Sequence, residues 1–349
     1  MKFEPIRTER LVLRPPRLND AEAAYQRRSL AEVARYQDWE MPYTRERAER
    51  SMARVAAMVG PVPGAGWTIT VVDADAPERI VGDLAVELRW EGRVGYFGYT
   101  FHPDHWGRGY ATEAAQALAH YLFVEVGVSR IESSLHPDNV ASARVMEACG
   151  LTFEGHTRES FWVGDECSDD MLYGMTRADW DAWCARPRHR PSRVELAPIT
   201  ADNRRTVGDL VTHKSQERFV STMLGNFRDA LVPPLFDGAT VVPWYRAIEA
   251  DGETVGFILA AEVNDNHPNP YLWRLLIDRI HQRRGIGSAA LDQFERWCLD
   301  QGATAVDVSW REGPGSPAPM YRARGYQPTG EITDGEIHAV KQLSGISLC

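Results

Sequence analysis

The chain says the same thing twice. Trp106-Gly107-Arg108-Gly109-Tyr110-Ala111 and Gln282-Arg283-Arg284-Gly285-Ile286-Gly287 each open an amphipathic run, with Gly109 and Gly285 lying 176 positions apart. The surroundings recur in the same order. Gly150-Leu151-Thr152-Phe153-Glu154-Gly155 is echoed by Gly325-Tyr326-Gln327-Pro328-Thr329-Gly330, 41 and 40 residues after the respective loops. Upstream, Ile80-Val81-Gly82 is echoed by Thr254-Val255-Gly256, 27 and 29 residues before them. Solenoid units repeat every ~20 to 50 residues, so a period this long means a duplicated domain.

Within each half the pattern predicts strand, helices, two or three strands, glycine loop, helix, strand, helix and closing strands, which is an α/β order. Ala111, Ala114, Leu118, Tyr121 and Leu122 recur at helical spacing up to Gly127, and Ile286, Ala290, Phe294, Trp297 and Cys298 do so up to Gly302. Strands are expected over 131–135 and 303–310. Second helices are expected over 141–148 and 317–324, closed by Gly150 and Gly325, with Pro317 and Pro319 confined to a first turn. Apolar periodicity stops after Trp183, giving domains over 1–183 and 194–349 joined by an Arg/Pro linker at 184–193, read as a solvated spacer. Asp20 and Asp202 are expected to cap the first helix of each half.

Composition narrows the class. At 349 residues and 44% hydrophobic, each half can bury its own core, and no apolar run reaches the ~18 residues of a membrane span. The N-terminus lacks a signal-peptide segment, so a cytoplasmic location and no membrane partner are expected. A net charge of -10 argues against a nucleic-acid surface and suits a cationic ligand. The five cysteines are widely spaced and the ten histidines show no ligand spacing, so neither a disulfide framework nor a metal site is expected. Trp67, Trp90, Trp244 and Trp310 are candidates for stacking on a cation, and the acidic stretch Glu262-Val263-Asn264-Asp265-Asn266-His267 is a candidate anionic rim.

A glycine loop between strand end and helix start aims several backbone N–H groups at one point, and the helix dipole adds positive potential there. A pyrophosphate suits such a place. Gly107, Gly109, Gly285 and Gly287 let the backbone come close to it, where a Cβ would hold an anion away.

With these motifs the chain resembles the GCN5-related N-acetyltransferases, as a tandem pair covering nearly its whole length. Their loop reads Gln/Arg-x-x-Gly-x-Gly/Ala, matched in full by Gln282, Gly285 and Gly287; Gly109 and Ala111 match with Trp106 in the first position. Through Thr8-Glu9-Arg10-Leu11 and His102-Pro103 the first half resembles the ribosomal-protein N-terminal acetyltransferase branch. Through Trp273 to Asp278 and Pro328 to Ile332 the second resembles polyamine-type acetyltransferases. The resemblance implies two splayed, mixed, mostly antiparallel sheets flanked by helices, with acetyl-CoA as cosubstrate. It assigns acetyl-CoA to Phe101, His102, Gly107, Arg108, Gly109, Tyr110, Ala111, Thr112 and Asn139 in the first half. In the second it assigns Leu276, Ile277, Gln282, Arg283, Arg284, Gly285, Ile286, Gly287 and Ser288.

It also implies direct attack of a primary amine on the thioester, an oxyanion held by a backbone N–H of the strand before the loop, and an acid for the leaving thiolate. Tyr321 is the expected acid in the second half. The equivalent first-half position is Met146, which cannot donate, so Ser142 and Asn139 take that place; Asn139 reads equally well as a helix cap. Neither 95–99 nor 273–276 offers a carboxylate as general base, leaving Glu87, Glu262 and Asp278 as candidates, with Glu262 preferred. The expected acceptor is a small cationic amine, polyamine-like or aminoglycoside-like, bound by loops such as 42–66 and 220–238. A protein N-terminal amine, or an acyl-CoA-sensing scaffold with one or both halves inactive, are the alternatives, and a homodimer is left open.

Overall fold

In a computed structural model, residues 2–233, 235–236, 239–262 and 268–343 are described; Val263 to His267 of the candidate rim lie outside them, as does Cys349. The chain divides into two compact units, Met1–Cys184 and Ala185–Cys349. Among the described residues no helix is long and apolar enough to cross a membrane and no cluster of metal-ligand residues occurs.

The first unit is one sheet of β1 (Ile6–Arg7), β2 (Leu11–Arg14), β3 (Trp67–Asp73), β4 (Ile80–Arg89), β5 (Val94–Phe101), β6 (Arg130–Leu135), β7 (Thr152–Val163) and β8 (Glu166–Thr176), ordered 1-2-3-4-5-6-8-7. Helices α1 (Ala21–Arg28), α2 (Ala31–Ala34), α3 (Arg45–Ala56), α4 (Tyr110–Tyr121), α5 (Val140–Ala148) and α6 (Arg177–Ala185) flank it. The second unit repeats the plan. Its strands are β9 (Val194–Ala197), a small hairpin β10 (Leu235–Phe236) and β11 (Ala239–Thr240), then β12 (Pro243–Ala250), β13 (Glu253–Ala261), β14 (Tyr271–Ile277), β15 (Ala305–Trp310), β16 (Gln327–Thr333) and β17 (Glu336–Gln342). The main sheet runs 16-17-15-14-13-12-9, with α7 (Arg204–Gly208), α8 (Met223–Leu231), α9 (Ile286–Asp300) and α10 (Ala318–Ala323).

Pairing is antiparallel except at the centre of each sheet. There β5 runs parallel to β6 only from Val94 to Tyr96, and β14 runs parallel to β15 only over Tyr271 and Leu272. Beyond these residues the strands part, each sheet splaying into two arms. The glycine of each upstream motif sets the approach of the neighbouring strand in the same arm: a Cβ on Gly82 would stand 2.6 Å from the Thr100 carbonyl oxygen, and one on Gly256 would stand 2.5 Å from that of Leu276. No side chain fits at either place.

The amphipathic helices do what their periodicity predicts. Ala114, Leu118 and Leu122 pack with Phe97 and Ile131 in one core, and Ile286, Ala290 and Phe294 pack with Val306 in the other. Gly127, Gly150, Gly302 and Gly325 follow the helices with positive φ. The expected caps differ. Asp202 does not cap α7, because Asn203 occupies the N-cap and bonds the Thr200 N–H instead. Asp20 precedes α1, but its carboxylate turns inward to both Arg14 Nη atoms and to Thr70 Oγ1, each at 2.8 Å. An internal guanidinium outcompetes a helix end for that charge.

Candidate functional site

Both glycine loops fold alike. Gly109 and Gly285 each take φ 79°, ψ 4° as the N-cap residues of α4 and α9, a left-handed conformation that an L side chain resists. The first-turn N–H groups of each helix have no intrahelical acceptor and point out of the loop. Around Gly107 a Cβ would meet nothing within 4 Å, so the loop surface is open to an anion.

Trp106 explains the departure at the head of the first loop. Its indole Nε1–H donates to the carbonyl of Phe101, the last residue of β5, at 2.9 Å. Gln282 Nε2 donates to the carbonyl of Ile277, the last residue of β14, at 3.0 Å. Indole and amide perform one task, tying the loop to the strand end. The turns between them also correspond: His102 Nδ1 accepts from the Asp104 N–H, and Asp278 Oδ1 accepts from the Ile280 N–H.

An arginine lies beside each left-handed glycine. In the first unit Arg10 reaches the Arg108 carbonyl at 2.8 Å, stands over the Tyr110 ring and pairs with Glu113 at 2.7 Å; Thr8 Oγ1 adds a 2.6 Å bond to the same carboxylate. The Thr8-Glu9-Arg10-Leu11 motif thereby clamps the chain's start to the loop. In the second unit the arginine comes from the segment read as a solvated spacer. Arg190 Nε would be 3.7 Å from a Cβ on Gly285, and Arg284 Nε donates to the His189 carbonyl at 2.8 Å. The position matching Glu113 is Ala289, so Arg190 lacks that counter-charge.

The splay gathers the candidate acids. Tyr99 O–H donates to Ser142 Oγ at 2.9 Å, and the Ser142 N–H donates to Asn139 Oδ1 at 3.1 Å. Asn139 is thus the N-cap of α5, one end of a Tyr99–Ser142–Asn139 chain, while Met146 is 1% exposed in the core. Tyr321 is 6% exposed, stacks on Trp310 at 5.7 Å, and has its phenol pushed up by burial, with Tyr271 and Arg274 close by. Burial likewise pushes up the Tyr99 phenol.

Sequence reasoning missed the groups at the splay vertex. Tyr96 Oη lies 3.3 Å from Ser134 Oγ across the first gap, and Tyr271 Oη lies 2.6 Å from Ser309 Oγ across the second. Asp170 stands two residues before Leu172, the β8 partner of Ser134, and Ser309 donates to Glu336. Burial is the main reason that the Asp170 carboxyl is pushed up.

In the first unit the vertex opens into a cavity of about 1200 Å³, bounded by the α1–α2 segment, β4, β5, α5 and the β7–β8 hairpin. Tyr36, Trp39, Tyr96, Tyr99 and Phe161 supply aromatic wall; of the four tryptophans singled out, Trp67 alone lines it. Its lining holds seven carboxylates, including Asp38, Glu87 and Asp170, against three guanidiniums. Glu87 takes two bonds from Arg89, which also covers the Tyr96 ring at 3.9 Å. Asp278 is occupied by backbone, its second oxygen accepting the Val211 N–H at 3.0 Å. Glu262 stands just past β13, its N–H on the Val242 carbonyl at 2.9 Å, beside the level at which Ala261 faces Tyr271.

Known proteins carry the same signature in both halves. Residues 10–152 match the acetyltransferase (GNAT) domain, and residues 212–326 match the acetyltransferase (GNAT) family. The uncharacterized N-acetyltransferase YnaD of Bacillus subtilis (strain 168) is 30% identical over 177 residues, 50% of this chain and 99% of that protein. Spermidine N(1)-acetyltransferase of Vibrio cholerae is 25% identical over 96 residues, 27% of this chain and 56% of that protein. Among solved structures, a GNAT-family acetyltransferase from Bacillus anthracis is 27% identical, covering 50% of this chain and 98% of its own, with a TM-score of 0.45.

Proposed function

This chain belongs to the acetyltransferase (GNAT) family, whose members are acetyl-CoA-dependent acyltransferases, and from that premise we propose that its acceptor is a small cationic primary amine. The observation that carries this reading is the first unit's cavity, where, with Asp83 paired to Arg27 and Arg28 and Glu87 to Arg89, five lining carboxylates remain against two guanidiniums and aromatic faces line the wall. A polyamine ammonium gains from both features, through Coulomb attraction and cation–π contact. The spermidine acetylating relative is consistent with such an acceptor.

The residues present suit acetyl-CoA in each unit: a left-handed glycine, first-turn N–H groups at the helix start and a sheet already parted beside them, with open space over Gly107 in the first loop. Gly107 to Thr112 and Arg283 to Ser288 would hold its pyrophosphate, and Phe101 and Leu276 to Ile277 would flank the arm that follows. When bound it supplies an activated acetyl thioester. The chain's own groups then orient the amine and move protons. Ser142, whose oxygen accepts from Tyr99, would give its proton to the departing sulfur while Tyr99 resupplies it; Tyr321 would take that role in the second unit. Arg10, Thr8 and Glu113 hold the first loop in shape.

The test couples turnover to binding. Free thiol release is followed with spermidine, an aminoglycoside and an N-terminal peptide as acceptors. Acetyl-CoA is titrated calorimetrically into the parent chain and into the Gly109→Glu and Gly285→Glu variants. Two binding sites, each lost with its own glycine, with preference for spermidine or the aminoglycoside, is the expected result. Preference for the peptide would move the reading to protein N-termini. Binding without any turnover would make the chain an acyl-CoA sensor, and no binding would overturn the reading outright.

A further inference from the structure

The splay vertex of each unit carries the same tyrosine, serine and carboxylate set at the same three places in the sheet, hydrogen-bonded throughout in the second unit and from tyrosine to serine in the first. In the first it is Tyr96, Ser134 and Asp170; in the second, Tyr271, Ser309 and Glu336. The correspondence is fixed by register. Tyr96 and Tyr271 are members of the parallel pairs Tyr96↔Glu132 and Tyr271↔Asp307, and each serine follows its partner's pair by two residues on the facing strand. Leu135 faces Met171 on β8 and Trp310 faces Ile337 on β17, so the residues preceding those two, Asp170 and Glu336, are equivalent. The duplication has retained an exchangeable pair, Asp and Glu, where the chemistry is a carboxylate.

Donor arithmetic gives the chain a direction. A serine hydroxyl has one proton. Ser309 donates it to Glu336, so the contact with Tyr271 must be a donation from the phenol to the serine. The phenol oxygen then keeps only lone pairs for a further partner. In the first unit Tyr96 Oη lies 3.3 Å from Ser134 Oγ, and the same direction holds there when Ser134 turns its proton to Asp170, its diagonal neighbour on β8. All three first-unit residues line the cavity, and Tyr271 lies close to the candidate acid Tyr321.

We propose that Tyr96–Ser134–Asp170 and Tyr271–Ser309–Glu336 are proton relays that deprotonate the acceptor ammonium, the carboxylate serving as a base acting through two hydroxyls. This deepens the acetyltransferase reading and rests on it. In the relay an ammonium N–H bond breaks and its proton goes to the phenol oxygen, while the phenol proton passes to the serine and the serine proton to the carboxylate. The amine is left neutral with its lone pair free, and the carboxyl is protonated. The N–C bond then forms as the C–S bond breaks, and the second nitrogen proton offsets the one given to the thiolate. Ammonium plus thioester becomes amide, thiol and one proton, which Asp170 or Glu336 releases to water. No glutamate on the strand before the loop is required, and Glu87 remains paired with Arg89.

Other charges facing the relays enter its titration: Arg89, Asp38 and His136 around Tyr96 and Asp170, and Arg311, Arg274, Asp307 and Tyr321 around Glu336 and Tyr271. The experiment uses the full chain with spermidine and saturating acetyl-CoA, in a Gly285→Glu background to read the first unit and a Gly109→Glu background to read the second. In the first, Asp170→Asn, Ser134→Ala and Tyr96→Phe are each expected to lower kcat about 100-fold or more at pH 7. KM for acetyl-CoA should stay within about threefold, and the rate should recover at high pH where the amine deprotonates unaided. Combining two of them should cost no more than one, since a broken wire is broken once. Glu336→Gln, Ser309→Ala and Tyr271→Phe are the second-unit set. Variants whose kcat and pH profile match the background would overturn the relay while leaving the acetyltransferase reading intact. A background chain that binds acetyl-CoA but acetylates nothing would overturn that reading, and the relay with it.

Discussion

Asp83 offers the sharpest test of how the first unit holds the wall of the proposed acceptor cavity in place. It lies on β4 at 3% exposure, pairing with Arg27, itself 2% exposed, and with Arg28 at 3.0 Å; both arginines end α1. Burial works to raise the Asp83 pKa, and the two guanidiniums more than offset it, holding the carboxyl below the usual range. Asp83→Asn keeps the shape and removes the charge, leaving two cations without their shared anion in a water-poor site. Removing one partner of such a cluster costs about 3 to 5 kcal/mol. At roughly 2 to 4 °C per kcal/mol for a domain of this size, the first unit's melting temperature should fall by about 6 to 20 °C in differential scanning calorimetry. Because the folded pKa is depressed, the carboxylate's stabilisation is present above its unfolded pKa, about 3.9, and is lost as pH falls through the lower folded value. The gap between parent and variant should therefore narrow in acid. Arg28 also lies over Trp39 and Tyr43, at 5.2 and 5.9 Å, so freeing it should loosen the aromatic wall and raise KM for the amine more than for acetyl-CoA. A melting temperature within about 2 °C of the parent would refute the view that Asp83 anchors α1.

Two further outcomes follow from single contacts. Trp106→Phe, which loses the bond to the Phe101 carbonyl, should weaken acetyl-CoA binding at the first loop in a titration, while Trp106→Gln, with a donor like that of Gln282, should retain more of it; equal losses would deny the equivalence. Burial, with Arg279 and Arg186 nearby, lowers the His213 pKa to about 4. The unfolded chain therefore takes up a proton between about pH 6.5 and 4 that the folded one refuses, so stability should drop by up to about 3 kcal/mol as pH falls through that window. Urea melts of His213→Gln should show a flatter dependence there.

How much of this was legible depended on the range over which each signal acts. The loops, their left-handed glycines and the helix ends are local, so Gly109, Gly285, Gly127 and Gly302 appear where the pattern places them. Trp106 looked like a mismatch because a motif compares letters, while the structure needs only an N–H donor at that reach. Asp202 lost its cap to Asn203 within one residue, a choice below the resolution of propensity. Tyr96, Ser134 and Asp170 were invisible, since nothing local marks them and only the register of three strands brings them together. The wall of the cavity was equally hidden, because the β7–β8 hairpin that bounds it reads as two plain strands.

The arginine beside Gly285 changes what counts as the second copy. In the first copy the corresponding arginine arrives ten residues into the chain, on the segment that begins the fold. In the second it arrives from the joint, with His189 fastening Arg284, and Ser192 and Arg193 fastened by Asp251. A fragment cut to begin at the first strand, Val194, would keep every strand and helix of the repeat yet discard part of its loop's surroundings. The joint is therefore inherited property of the downstream copy, and swapping, trimming or lengthening it edits the surroundings of the proposed cofactor loop as well as a tether.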